Sequence, residues 1–185
     1  MVSLPSLWMP ILLSAVLVFV ASSIIHMFLG YHADDYRRLP DEDAATLALR
    51  SLNIPPGDYV LPRAESSEAM RSPAYVERLR AGPIVIMTVA RGEEPGMGRS
   101  LMLWFLFTLL VSLFAAYIAG RALPPGAEYL SAFRFAGTTA FAGYSLALLQ
   151  HSIWYRRSWR ATLLGMFDGL VFALITGGVF GWLWP

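Results

Sequence analysis

The chain has 185 residues, of which 56% are hydrophobic and 15% charged, with a formal net charge of +1 and a mean hydropathy of +0.53. That apolar share exceeds what a soluble domain of this size can bury and marks an integral membrane protein, while the near-zero charge argues against nucleic acid as a partner. The absence of cysteine removes disulfides, thiolate metal sites and cysteine nucleophiles; all 14 basic residues are arginine, which removes lysine Schiff bases and a lysine-bearing phosphate loop.

Four apolar stretches reach the roughly 20 residues that a helix needs to cross the hydrocarbon layer. The first, Trp8 to Leu29, contains His26 but no acid or arginine. No positive charge precedes it and it outruns the apolar region of a signal peptide, so an anchoring helix is expected.

Residues 30–100 are of another kind, with 11 acidic residues, nine arginines and seven prolines. Being slightly acidic, the segment is not a polybasic lipid-binding tail. Asp41, Glu42 and Asp43 read as the charged first turn of a helix running to about Leu52. Ser72 as N-cap, Pro73 at the first helical position and Gly82 beyond the last turn frame a second helix. Asp58–Leu61, following Pro55-Pro56-Gly57, and the β-branched run Pro83–Val89 read as strands. Arg91–Gly98 reads as a loop, and its glycines match no nucleotide-binding fingerprint.

The remaining spans are Leu101–Gly120, Phe135–Tyr155 and Leu163–Trp184. Leu123-Pro124-Pro125-Gly126 stops the second helix. The short loop Arg156–Thr162 makes the last two helices an antiparallel hairpin. Ala136 and Ala140, Gly165 and Gly169, and Gly177 and Gly181 are each four apart, a spacing that lets backbones approach, inside the chain or against another subunit.

Arginines near the span ends give the orientation. Arg37, Arg38, Arg91 and Arg99 flank the first loop and Arg156, Arg157 and Arg160 fill the third, against Arg121 and Arg134 on the other side. Both termini are therefore expected outside and the 30–100 segment inside. The arginine-only basic set suits a GC-rich bacterial genome, so the expected location is a bacterial cytoplasmic membrane. The expected architecture is an all-α membrane protein: a four-helix transmembrane bundle with a small cytoplasmic α/β insertion, divided into helix 1 (1–29), the insertion (30–100) and helices 2–4 (101–185).

The candidate chemistry gathers near the inner face. His26, His32 and His151 are the three histidines, Asp34 and Asp35 follow His32, and Asp168 is the one acid within a span. An intramembrane carboxylate is costly and calls for a partner inside the bundle. Imidazole and carboxylate suit a transition metal or a haem centre. The bland alternative leaves His32, Asp34 and Asp35 solvated and pairs Asp168 with Arg99 or Gln150.

No Gly-x-Ser-x-Gly elbow or His-Glu-x-x-His helix occurs, excluding the commonest hydrolase and zinc-protease signatures. Packing motifs without catalytic ones favour a non-catalytic small subunit or assembly factor. It would dock in the bilayer on other membrane subunits, or on a second copy, through its glycine-lined helices and the insertion. The alternative is a metal-dependent membrane enzyme or redox protein using the histidine and aspartate set.

Overall fold

The computed structural model describes residues 1–92 and 96–185, so Glu93, Glu94 and Pro95 of the expected Arg91–Gly98 loop lie outside the described residues. The chain divides into two compact units, Met1–Tyr36 with Gly96–Pro185, and Arg37–Pro95.

The first unit holds the apolar helices. A 3-10 turn over Leu4–Leu7 leads into α1 (Trp8–Phe28), and α4 (Gly98–Ala122) and α7 (Trp159–Trp182) follow later in the chain. Three helical stretches, Leu4–Phe28, Gly98–Ala122 and Trp159–Trp182, are long and apolar enough to cross a membrane. The last begins four residues before the expected Leu163, directly after the tight turn at Arg156 (φ +55°).

The expected third span is corrected. In place of one helix over Phe135–Tyr155, the chain forms α5 (Tyr129–Ser145), a 3-10 turn over Leu146–Leu148 and a short α6 (Leu149–Tyr155). No proline causes the break. It falls where the buried Ser145 hydroxyl donates to the Met166 carbonyl of α7, 3.3 Å away, instead of to its own helix.

Small residues let these helices close on one another. A Cβ on Gly177 would stand 2.8 Å from the Phe133 carbonyl oxygen and 3.2 Å from the Gly137 Cα, and one on Gly181 would stand 2.9 Å from the Tyr129 carbonyl oxygen. Gly169 lies against Ser145 and Tyr144, and Gly165 against Leu148. Ala136 and Ala140 are fully buried. All six small residues thus serve contacts inside the chain. Between α1 and α4, Ser14 donates to Ser112 (3.0 Å) and Trp104 to Ser22 (2.8 Å). Trp104 is thereby half-buried against α1.

The unit has two distinct ends. At one, the Val2 amide donates to the Gly120 carbonyl, the Gly126 amide to the Pro185 carbonyl and the Trp184 ring to the Pro124 carbonyl, so both termini and the 121–128 turn share that end. At the other, the 29–36 loop meets the start of α7, where Arg160 donates to the Tyr31 carbonyl at 3.1 Å.

The second unit contains α2 (Glu42–Ser51), β1 (Gly57–Leu61), α3 (Pro73–Ala81) and β2 (Val85–Val89). The strands pair antiparallel with Gly57 opposite Val89 and Leu61 opposite Val85. Local signals start and stop the helices. Asp41 caps α2 by accepting from the Ala44 amide at 2.9 Å, Ser72 caps α3 by accepting from the Tyr75 amide at 3.2 Å, and Gly82 ends α3 at φ +63°.

Candidate metal centre

The site lies in the first unit, at the end opposite the termini. Its first residue is carried by the last turn of α1, where His26 Nδ1 lies 2.9 Å from the Ser22 carbonyl oxygen. A carbonyl only accepts, so Nδ1 carries a proton, and in the neutral tautomer this leaves the lone pair on Nε2. The helix ends at Phe28, and Gly30 takes φ +64°, a left-handed turn open to glycine at little cost. Two turns follow, with Ala33 donating to Gly30 and Asp35 to His32. This reversal lays the His32 ring parallel to His26, 4.8 Å between centroids and 3° between planes.

Asp168 enters from α7, nine residues and about 14 Å along the axis from Trp159. It is 3% exposed, which for a carboxylate in an apolar helix demands partners. Tyr31 donates its hydroxyl to Oδ1, His32 Nε2 lies 2.8 Å from Oδ2, and His26 Nε2 lies 4.0 Å from the same oxygen. The expected alternatives, Arg99 and Gln150, are not its partners. Phe172, one turn further along α7, joins Trp104, Tyr144 and the exposed Phe107 in an aromatic cluster.

His32 is held from both sides, since its Nδ1 lies 2.8 Å from Asp35 Oδ2. Burial lowers the proton affinity of this ring, but the hydrogen bonds to Asp35 and Asp168 outweigh it and raise the pKa above the ordinary 6.5. A neutral imidazole offers one donor and one acceptor. It can satisfy only one of two flanking carboxylates, so a cation belongs at the second contact: a further proton, or a metal ion between Nε2 and Asp168. Tyr31 stays protonated far into the alkaline range, through burial and its bond to Asp168.

Asp35 faces two guanidinium groups, with Arg157 Nη2 at 3.9 Å and Arg160 Nη1 at 3.7 Å. Neither is a hydrogen bond, and Asp35 Oδ1 is buried without a hydrogen-bond partner among the described residues. A cavity of about 120 Å³ opens between these groups, lined by His26, His32, Asp35, His151, Arg157 and Asp168, with Leu148, Ala161, Thr162 and Gly165 completing its wall.

The structure thus brings together His26, His32, Asp35 and Asp168, and sets His151 on the cavity wall without a hydrogen bond to the others. Asp34 is exposed, and its side chain makes no hydrogen bond or ion pair with them. His32 and Asp35, expected in solvent under the bland alternative, have side chains only 16% and 9% exposed. Tyr31, Arg157 and Arg160 were invisible as site residues in the sequence. The arginines stood out only as topology signals, and Tyr31 only by adjoining His32.

No protein-family model matches the chain, and no characterised protein or solved structure is detectably similar to it.

Proposed function

We propose that this chain is a metal-dependent integral membrane enzyme whose centre is formed by His26 Nε2, His32 Nε2 and the Asp168 carboxylate. The observation that carries the reading is the orientation of both imidazoles. Each turns Nε2 towards Asp168 while Nδ1 is engaged behind it, by the Ser22 carbonyl in one case and by Asp35 in the other. Such rear partners fix the tautomer and raise the basicity of metal-binding histidines.

The three ligand atoms lie within 4.8 Å of one another. Ligands of one ion at about 2.1 Å stand no more than about 4.2 Å apart. Closing the difference takes a movement of the His26 ring, whose side chain is 54% exposed, and an ion bound to both would replace the 2.8 Å contact between His32 Nε2 and Asp168. Two imidazoles and one carboxylate suit zinc, iron(II) or manganese, and three protein ligands leave positions open for water and substrate, as in catalytic rather than structural sites. The cavity is well under the roughly 300–1,000 Å³ of cofactor pockets, which favours a bare ion over haem.

We infer further that α5, the 3-10 turn and α6 together make a fourth crossing. Their 27 residues from Tyr129 to Tyr155 exceed the roughly 20 a span requires. The arginine bias puts the site at the inner face of a bacterial cytoplasmic membrane, with both termini outside. A reporter fused at Pro185 is expected to behave as extracytoplasmic; cytoplasmic behaviour would invert the site's side. The competing reading, a non-catalytic subunit docking through glycine-lined helices, has less support because Gly169, Gly177 and Gly181 lie against α5 of the same chain.

The test is elemental analysis of the purified protein, followed by cobalt titration of the stripped chain. One ion per chain is expected, with binding lost in His26→Ala and Asp168→Ala. A metal-free chain that takes up cobalt no better than these variants, and that co-purifies with stoichiometric partners, would support the subunit reading instead.

A further inference from the structure

We propose that the ligand taken by this centre is a small oxyanion, a phosphate group, seated in the cavity between the metal ligands and Arg157. The inference rests on the metal reading above and concerns what fills the open positions.

Charge is the first argument. Asp35 and Asp168 are matched in number by Arg157 and Arg160, and the two imidazoles that bind an ion do so in their neutral form. A divalent ion therefore leaves two positive charges uncompensated. In a partly buried site at the edge of a low-dielectric layer, that excess selects an anion.

The second argument is unused donor capacity. Arg157 and Arg160 stand at 3.9 and 3.7 Å from Asp35, beyond hydrogen-bond length, so Asp35 orients the guanidinium groups without saturating them. Arg157 lines the cavity and its side chain is 38% exposed, so its planar fork is available to an incoming oxyanion. Arg160 is already used in part, donating to the Tyr31 carbonyl.

Size is the third. A cavity of about 120 Å³ matches the liquid volume of about four waters and admits a tetrahedral oxyanion, but not a large substrate as a whole. Gly165 and Leu148 close its wall together, a Cβ on Gly165 standing 3.3 Å from the Leu148 side chain. A larger substrate would thus present only its anionic head, and a phosphate could arrive free in solution or on a lipid headgroup.

The experiment uses the full chain in neutral detergent, loaded with cobalt so that the visible ligand-field bands report the coordination sphere. Cobalt binding is measured first; a chain that does not bind it overturns the metal reading and this inference with it. Inorganic phosphate is then titrated. The expected result is a saturable band shift with a Kd of about millimolar or tighter. Arg157→Gln should weaken phosphate by about tenfold or more while cobalt affinity stays within about twofold, and Arg157→Lys should recover part of the loss. Reconstitution into phosphatidic acid vesicles, compared with phosphatidylcholine vesicles, separates the sources: a shift without free phosphate assigns the headgroup, and a shift with free phosphate alone assigns the soluble anion. A cobalt-loaded chain whose bands respond to neither source, or an Arg157→Gln variant that binds phosphate as well as the parent, overturns the oxyanion assignment and leaves the metal centre standing.

Discussion

The helical unit and the insertion bury opposite things. In the helical unit the interior holds many small and polar side chains, among them Ala115, Ala116, Ser112, Thr108 and Thr176, beside a few large ones such as Phe172 and Phe180, while Leu106, Leu110, Leu170 and Leu174 face outwards. In the insertion no residue of α2 or α3 is buried, and the helix ends are set by side chains one to three positions away. An outward-facing leucine costs nothing in lipid, so the helical unit can spend its interior on close backbone contact and on one buried carboxylate. The insertion keeps to short-range rules. Substitutions in the first unit should therefore propagate through packing and through the site, whereas those in the second should stay local.

The largest effect is expected at Asp168. Asp168→Ala removes the acceptor shared by Tyr31 and His32 and the carboxylate arm of the proposed centre. Cobalt affinity should fall by about a thousandfold or more, beyond the 10- to 100-fold typical of outer-shell changes. Isothermal titration of the stripped protein measures this, and a loss under tenfold would remove Asp168 from the ligand set.

Next comes the closest helix contact. Gly177→Val places a branched side chain where a single Cβ already meets the Phe133 carbonyl at 2.8 Å. Neither backbone can yield without parting α5 from α7, and overpacking of this kind costs about 3 kcal/mol. Thermal unfolding in detergent should register the loss. An unchanged Tm would mean that the two helices are less tightly held than their backbones suggest.

Asp35 tests the rear support of His32. In the metal-free protein the raised pKa of His32 contributes stability that is complete below its unfolded value near 6.5 and is lost as pH rises through the higher folded value. Asp35→Asn removes one of the two carboxylates that raise it. The fall in Tm with pH above about 6.5 should flatten. Cobalt affinity should drop by about 10- to 100-fold, the range for an outer-shell partner. If the slope of Tm against pH matches that of the parent, Asp35 does not control His32.

The same contrast explains which parts could be read in advance. Ser72, Pro73 and Gly82 bracket α3 because capping is local chemistry, and the three long apolar helices follow from length and hydropathy alone. The break at Ser145 is not legible in the sequence, since the contact that accompanies it is with a carbonyl on α7, 21 residues away. The convergence of His26 and His32 was hidden too, for it depends on the left-handed turn at Gly30, which a span prediction reads only as a helix end. Arg157 and Arg160 carry two meanings, a topology signal in sequence and a pair of charges facing Asp35 in space, and only the first is legible in one dimension.

The smallest effect is the one that tests locality most directly. Ser72→Ala deletes the hydroxyl that accepts from the Tyr75 amide and donates to the Ala69 carbonyl, so it uncaps α3 and loosens the preceding 3-10 turn together. Loss of such a cap costs about 1 kcal/mol. Both partners lie within three residues, so amide hydrogen exchange should accelerate by about fivefold over Tyr75–Arg78 and hardly at all in α1 or α7. Cobalt affinity should match that of the parent. If it falls by tenfold instead, the insertion's local order is energetically tied to the site, and the locality of the second unit fails as a rule.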